Sequence, residues 1–418
     1  MLNRRSFLLA ATAPAILPAT LDAQRPQASS PALAVLPPAI EKLKSRRSEA
    51  KPIPQAEFEA RVERARALLA ESKLDAVVLA GGTSLRYFTG VRWGNSERLF
   101  AWVLPKKGTP FFVSPAFEED RAREQAGAQA KILTWHEDEN PFSLIAAGLN
   151  ASTGRVGIEE KVVFSFSDGI AKSNKGFDIT SAVPVVSACR ARKTPAELAL
   201  MRLANNVTLD AYKAAWASVH DGMTNRDLTT LISAAMDRQG FPGGVSVQVG
   251  EWAALPHGSA RPQMIKEGSL VMMDDGCSVE GYQADVTRTV VLGKPSDKMK
   301  QVFDIVLHAQ QAALAAAKPG ALCESVDIAA RKVVTAGGYG PGYKYFTHRL
   351  GHGIGMDGHE WPYLVNGNKL PLTAGMAFSD EPGIYIPGEF GVRCEDIMAI
   401  TDTGAELMTP AATSLEKM

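Results

Sequence analysis

From Ala56 to Ser72 apolar residues recur at helical spacing, with Phe58, Val62, Ala65, Leu68 and Leu69 on one face. Short β-prone runs follow: Ala76-Val77-Val78-Leu79, Phe100-Ala101-Trp102-Val103-Leu104 and Pro110-Phe111-Phe112-Val113. Helical patterns near 115–127 and 166–174 alternate with strand-like runs at 131–135 and 155–159. Such alternation predicts an α/β domain over residues 54–188. The pattern then changes. Thr194-Pro195-Ala196-Glu197 reads as a capping box with proline at the first helical position, where its missing N–H costs nothing. Leu198, Met201, Leu203 and Ala204 supply the apolar face behind it. Thr224-Asn225-Arg226-Asp227 starts a second helix that stops at Gly240, and further helices are predicted over 297–316 and 324–335. Strand-rich segments lie at 269–274, 285–292 and 375–401. This order predicts an α+β fold class, with residues 189–418 forming a domain of two related halves.

The amino terminus departs from both patterns. Asn3-Arg4-Arg5-Ser6-Phe7-Leu8-Leu9 leads an uncharged run that ends near Leu21 and holds Pro14 and Pro18. That run is too short to span a bilayer comfortably. With a small residue at Ala23 it reads as a signal peptide over 1–23, or alternatively as an uncleaved anchor. The paired arginines resemble the twin-arginine class, which implies export to the periplasm or beyond in folded form. Residues 24–53, rich in Pro, Ser and Ala, read as a linker or arm, and no stable membrane span is expected once the signal is removed.

Composition adds limits. At 418 residues two domains are expected. Lys+Arg and Asp+Glu are equal at 45 each, so no net field favours nucleic acid or an anionic membrane. The four cysteines show no CxxC and read as free thiols.

The chemistry lies in the second region. Ser269-Leu270-Val271-Met272-Met273-Asp274 and Asp285-Val286-Thr287-Arg288-Thr289 read as a hairpin, with Asp274 closing one strand and Asp285 opening the next. Alone, either aspartate reads as a turn residue; the pair gains meaning from its partners. His348-Arg349-Leu350-Gly351-His352-Gly353-Ile354-Gly355 sets a histidine among glycines, which admit close approach of backbone or positive φ. Glu381-Pro382-Gly383 and Arg393-Cys394-Glu395 place two glutamates on adjacent predicted strands. Carboxylates so gathered repel one another unless a cation neutralises them. Four carboxylates and one imidazole suit two divalent ions bridged by carboxylate and water.

The strings Gly281-Tyr282-Gln283-Ala284-Asp285-Val286-Thr287-Arg288-Thr289, His348 to Gly355, His359-Glu360, Glu381-Pro382-Gly383-Ile384-Tyr385 and Gly391-Val392-Arg393-Cys394-Glu395-Asp396 occur in that order. Together they resemble the pita-bread metallopeptidases, the family of methionine aminopeptidase, aminopeptidase P and prolidase, over residues 190–402. Leu85-Arg86-Tyr87-Phe88-Thr89-Gly90 is similar to the smaller amino-terminal domain of the prolidase and aminopeptidase P branch. The resemblance implies that Asp274 holds one metal, that Asp285 and Glu395 bridge two, and that His352 with Glu381 completes the second. It implies a hydroxide bridging the metals as nucleophile, with Glu381 passing a proton and His359 and His257 catalytic. Arg393, Tyr282 and His348 are expected to bind substrate or to orient the ligands, with Arg393 aligning a ligand carboxylate. Manganese is the expected metal, with cobalt, zinc or iron as alternatives. The implied substrate is a peptide cut between an amino-terminal residue and proline, as a Xaa-Pro dipeptide or a longer chain. A homodimer is also implied, with the Trp93 loop near a neighbouring subunit's site. Gly358 stands where relatives carry a larger apolar residue, and Trp361-Pro362 replaces a commoner Glu-Pro. The competing readings are a metal-free or non-catalytic module on the same fold, and hydrolysis of other amides or phosphotriesters.

Overall fold

The computed structural model describes residues 35–418, so the segment read as a signal lies outside the described residues, as does the first part of the arm. In the first domain Ala76–Ala80 forms β1, and its side chains part alternately into two cores. Val77 and Leu79 join one apolar cluster, while Ala76, Val78 and Ala80 join another. Burial on both faces explains why the run reads as unbroken apolar sequence rather than as alternation. β2 (Ala101–Pro105), β3 (Phe111–Pro115), β4 (Lys131–Trp135), β5 (Gly154–Ile158) and β6 (Phe177–Ser181) complete a mixed sheet in the order β4-β3-β2-β1-β5-β6. Helix α1 (Gln55–Glu71) buries Arg61, Ala65 and Leu69. Helix α2 (Thr83–Thr89) follows β1, and α3 (Val183–Ala191) leads out of the domain.

The arm is not loose where it is described. A short helix, Pro38–Glu41, buries Ile40 in the same cluster as Val207 and Met236 of the second domain. The Arg46 amide donates to the Gln239 carbonyl at 2.9 Å, and its guanidinium meets Asp210 at 3.2 Å. That cluster also holds Leu69 and Val77 beside Met201, so one continuous apolar core joins the two domains.

The second domain repeats one plan twice, with a pair of helices outside an antiparallel sheet. Helix α4 (Pro195–Trp216) starts at a reciprocal capping box: Thr194 Oγ1 accepts from the Glu197 amide at 3.3 Å, and Glu197 Oε2 accepts from the Thr194 amide at 2.9 Å. Helix α5 (Asn225–Gln239) has the same device at Thr224 and Asp227, and Gly240 ends it at φ 93°. They cover β7 (Gly243–Val249), β8 (Leu270–Val279), the short β9 (Tyr282–Gln283) and β10 (Arg288–Val291). In the second half α6 (Asp297–Ala316) and α7 (Cys323–Ala336) accompany β11 (Gly351–Gly353), β12 (Glu360–Leu364), β13 (Ala377–Asp380), β16 (Asp396–Ile400) and β17 (Ala405–Leu407), with the hairpin β14 (Gly383–Ile386) and β15 (Phe390–Arg393) beside them. Along β8, Val271 and Met273 face the first half's core while Leu270 and Met272 face the second's.

The expected Asp274–Asp285 hairpin needs correction. β8 does not stop at Asp274 but runs on to Val279, held extended by β7 with Ser246 opposite Asp274 and Gly244 opposite Gly276. Asp285 lies in the irregular stretch between β9 and β10 rather than opening a strand. The strand-rich stretch at 375–401 resolves into four separate strands, and Glu381 and Glu395 fall in the gaps between them.

Candidate metal centre

Two groups of ligand atoms meet between the halves of the second domain. One carboxylate oxygen each from Asp274, Asp285 and Glu395 lie within 4.8 Å of one another, and so do ligand atoms of His352, Glu381 and Glu395. Glu395 belongs to both groups. It is 2% exposed, so its carboxylate cannot turn to water instead.

The chain fixes each donor's aim. His352 sits on β11, where its Nδ1 lies 3.1 Å from the Gly353 carbonyl and so carries the proton. Its Nε2 lone pair then faces Glu381 Oε1 at 3.3 Å and Asp285 Oδ2 at 3.6 Å. The His352 amide donates to Ser379 Oγ at 2.9 Å, and that hydroxyl donates to Glu381 Oε1 at 3.0 Å. The glycines beside His352 are needed for close approach. A Cβ on Gly351 would lie 1.9 Å from the Ser379 carbonyl oxygen, and one on Gly355 would lie 2.6 Å from Glu360 Oε1.

Arg393 binds the opposite wall. It donates from Nη2 to Asp274 Oδ2 at 2.5 Å, from Nε to Thr287 Oγ1 at 3.0 Å, and from Nη1 to Tyr385 Oη at 2.7 Å and the Pro256 carbonyl at 3.2 Å. It therefore fixes the Asp274 carboxylate. Tyr385 passes its own proton to His348 Nε2 at 2.7 Å, and His348 donates from Nδ1 to the Arg349 carbonyl at 2.8 Å. His348 Nδ1 is 3.9 Å from Glu381 Oε2, and burial holds the imidazole pKa below its ordinary value.

The residues fit divalent cations. Burial, then repulsion from Asp274, Asp275 and Glu381, pushes the Asp285 carboxyl well above its ordinary value. Burial, then Asp285, Glu381 and Asp274, does the same to Glu395. Burial acts on Glu381 in the same sense, but Arg393 and the neighbouring His352 and His348, when these rings are protonated, more than offset it and hold that carboxyl low. Thr287 Oγ1 lies 2.5 Å from Asp274 Oδ1 and 2.6 Å from Glu395 Oε2. A hydroxyl has one proton and cannot donate to both, so this corner calls for further positive charge. Oxygen-rich donors with one imidazole are the set that hard and borderline divalent ions take.

The two remaining catalytic candidates lie at the open edge. The exposed His359 ring stacks on His352, with centroids 3.7 Å apart, and its ring nitrogen groups with Asp285 and His352 as a third possible ligand set. His257 is exposed and follows Pro256, whose carbonyl Arg393 holds. Tyr282 is elsewhere, a correction to its expected place. Its hydroxyl donates to Glu197 Oε1 at 2.9 Å and accepts from Arg61 Nη2 at 3.0 Å, at the junction of the domains. The Trp93 ring is buried in the first domain, stacked on Phe100 at 3.8 Å under the Arg121 guanidinium. Asp275 faces solvent, and Cys394 is fully buried. His220 and His308 bond local carbonyls on the surface, away from the site.

Several residues of the site carried no role in the sequence reading. Thr287 and Tyr385 were only letters of the quoted strings, although Thr287 follows Asp285 at the two-residue spacing of a shared strand face. Arg288 braces both ligand segments, donating to the Glu395 carbonyl at 2.8 Å and to Asp396 Oδ1 at 2.6 Å.

Comparison with known proteins agrees with this geometry. The profile of "Metallopeptidase family M24" matches residues 199–402, and that of the "Creatinase/Prolidase N-terminal domain" matches residues 61–192. The chain is 34% identical over 360 residues to a Xaa-Pro dipeptidase of Lactobacillus delbrueckii subsp. lactis, covering 83% of this chain and 96% of that one. The crystal structure of dipeptidase PepE from Mycobacterium ulcerans superposes with a TM-score of 0.82 at 33% identity, over 88% of this chain and 99% of that one. A prolidase from Thermococcus sibiricus gives a TM-score of 0.79 at 30% identity, over 88% of this chain and all of that one. With both domains matched in order and a relative 34% identical over most of both chains, the chain belongs to metallopeptidase family M24 and is a peptidase.

Proposed function

We propose that this peptidase hydrolyses the bond between an amino-terminal residue and proline, using two divalent ions held by Asp274, Asp285, His352, Glu381 and Glu395. The observation that carries the two-ion reading is Glu395, which belongs to both groups of ligand atoms. The Xaa-Pro preference is supported by the names of the dipeptidase and prolidase relatives. Manganese is the ion we propose, from the excess of oxygen donors.

When bound, such a pair of ions acidifies a water and stabilises charge on the scissile carbonyl. The chain's residues do the rest. Glu381, as a carboxylate, accepts the proton of the attacking water and then returns it to the leaving nitrogen. That return matters for a proline substrate, whose tertiary amide has no N–H of its own. His359, at the open rim, donates to the carbonyl oxygen as it gains charge. His257 faces the substrate from the loop that Arg393 anchors, while Arg393 and Thr287 keep Asp274 and Glu395 aimed inward.

The test is manganese-loaded protein given a Gly-Pro-type dipeptide and a Xaa-Pro-Xaa tripeptide, beside Asp285→Ala and Glu395→Ala. Turnover lost in both variants supports the reading, and the preferred length separates dipeptidase from aminopeptidase. Folded protein with no turnover under any divalent ion sinks it. We also propose export through the twin-arginine route and a homodimer. Cell fractionation of an Arg4→Lys, Arg5→Lys variant tests the first and sedimentation of the loaded protein the second. Among the described residues no helix is long and apolar enough to cross a membrane.

A further inference from the structure

A second buried charge cluster lies where the two domains meet, and the reaction just described gives it no role. Arg190, on α3, donates from Nη2 to Asp357 Oδ2 at 2.6 Å and Glu360 Oε1 at 2.9 Å, and from Nη1 to Ser84 Oγ at 2.9 Å. Lys193 Nζ is 3.6 Å from Glu360 Oε2. Two more groups of the first domain converge on Asp357: Thr83 Oγ1 donates to Oδ1 at 2.8 Å, and Lys161 Nζ meets Oδ2 at 2.7 Å. Asp357 thus takes three side-chain donors, all from residues within the amino-terminal domain match at 61–192.

Asp357 belongs to the turn between β11 and β12, which carries His359. The turn is held from the other side by the strand that leads to Asp285. The Gln283 amide donates to the Gly355 carbonyl at 2.8 Å, and Gln283 Nε2 donates to the Met356 carbonyl at 3.2 Å. Within the turn the Asp357 amide donates to Glu360 Oε1 at 3.1 Å. His359 itself is exposed, so burial does not fix its ring. Gly358 offers no brace either, since a Cβ there would meet nothing within 4 Å. The His359 ring stacks on His352, and its backbone belongs to the turn that Asp357 anchors.

We propose that Asp357 is a positioning residue through which the first domain, by Thr83, Lys161 and Arg190, holds the 354–359 turn and so sets His359 against the metal centre. The inference rests on the proposed role of His359. The grip is strong enough to hold the Asp357 carboxyl at about 2: burial raises it, but Arg190 and Lys161 lower it further. On this account the first domain contributes to turnover without touching the substrate.

The experiment compares manganese-loaded wild type with Asp357→Ala, Lys161→Met and Lys161→Arg, by dipeptide kinetics, metal content and hydrogen exchange of residues 354–360. Asp357→Ala should lower kcat on the order of 10- to 100-fold, as misplacement of a catalytic group does, with KM and metal content nearly unchanged. Exchange in the turn should quicken while β8 stays protected. Lys161, with its side chain 59% exposed, gives variants that fold even if Asp357→Ala does not. Lys161→Met should lower kcat about threefold, and Lys161→Arg should restore it. Unchanged exchange in both Asp357→Ala and Lys161→Met overturns the proposal. So does a loosened turn with kcat intact, or a loss of kcat that tracks metal content. If the wild type cleaves no peptide, the proposed function fails on its own, and exchange of the turn still decides whether the first domain grips it.

Discussion

The molecule buries two carboxylate clusters only a short turn apart, and they solve the problem of buried charge in opposite ways. At the domain junction Asp357 and Glu360 face Arg190, Lys193 and Lys161, and both acids are held below their ordinary values, Asp357 at about 2. At the metal centre Asp274, Asp285, Glu381 and Glu395 face one guanidinium, that of Arg393. There Asp285 and Glu395 are pushed well above their ordinary values. The residue types and the degree of burial are alike. What differs is the source of the cations: the chain supplies them at the junction, and the surroundings must supply them at the centre. Glu381 at the centre is also pulled down, so it is the upward push on Asp285 and Glu395 that sets this cluster apart from the junction.

The sharpest way to break this comparison is to remove an acid from each cluster. Glu395→Ala strips a ligand from both groups at the centre, and we expect turnover to fall roughly a thousandfold or more, with loss of bound metal. Glu360→Gln at the junction keeps the hydrogen-bonding shape but leaves Arg190 and Lys193 short of one negative partner. It should cost stability on the order of 3 kcal/mol while metal content stays full. Thermal unfolding and elemental analysis of the two variants check the pair. Metal loss in Glu360→Gln, or full metal in Glu395→Ala, would erase the distinction.

Chelation should act on one cluster only, and its effect should depend on pH. A raised carboxyl binds its proton more tightly in the folded than in the unfolded chain, so the metal-free fold loses stability as pH climbs from the unfolded value towards the raised one. For Asp285 and Glu395 that window opens near about pH 4 and extends upward. Asp357 runs the other way: its contribution is present above the unfolded value of about 4 and fades only as pH falls towards about 2. The gap in Tm between loaded and chelated protein should therefore widen from about pH 5 to about pH 8, with the junction contributing nothing to the change. Loaded ion at about a hundred times its Kd would add about 2.7 kcal/mol. Calorimetry at both pH values measures it, and a gap that stays flat or narrows removes the argument from raised carboxyls.

The five side chains that gather at the candidate centre were legible in the sequence because each sits in a short string whose chemistry is local, such as His352 between two glycines. The capping boxes at Thr194 and Thr224 were legible for the same reason: an N-cap and its N3 partner are three residues apart. What escaped depends on distant partners. β8 runs past Asp274 because β7 pairs with it, yet Gly243, Gly244, Ser246 and Gln248 give β7 a weak signal as a strand. Arg190 and Asp357 are 167 residues apart, and nothing near either one announces the other. Tyr282 lies inside the string that identifies Asp285, and its neighbourhood in sequence suggested the site. The pleat sends its ring the other way, towards Glu197 and Arg61.

Tyr282 gives the smallest expected effect and the finest test of where the centre ends. Tyr282→Phe removes one hydroxyl that donates to Glu197 and accepts from Arg61, while those two remain paired at 3.3 Å. Neither partner is left alone, so the loss should be about 1 kcal/mol, the ordinary net value of one hydrogen bond. In a chain of 418 residues that is a shift in Tm of only about 2 °C. Because the ring is 1% exposed and packed in the core the two domains share, it has no path to a bound peptide. Both kcat and KM should stay at wild-type values with metal content full. A tenfold fall in kcat at full metal would show that the centre reaches through Asp285 to the Arg61–Glu197 pair, and the boundary between the two clusters would have to be redrawn to include Tyr282.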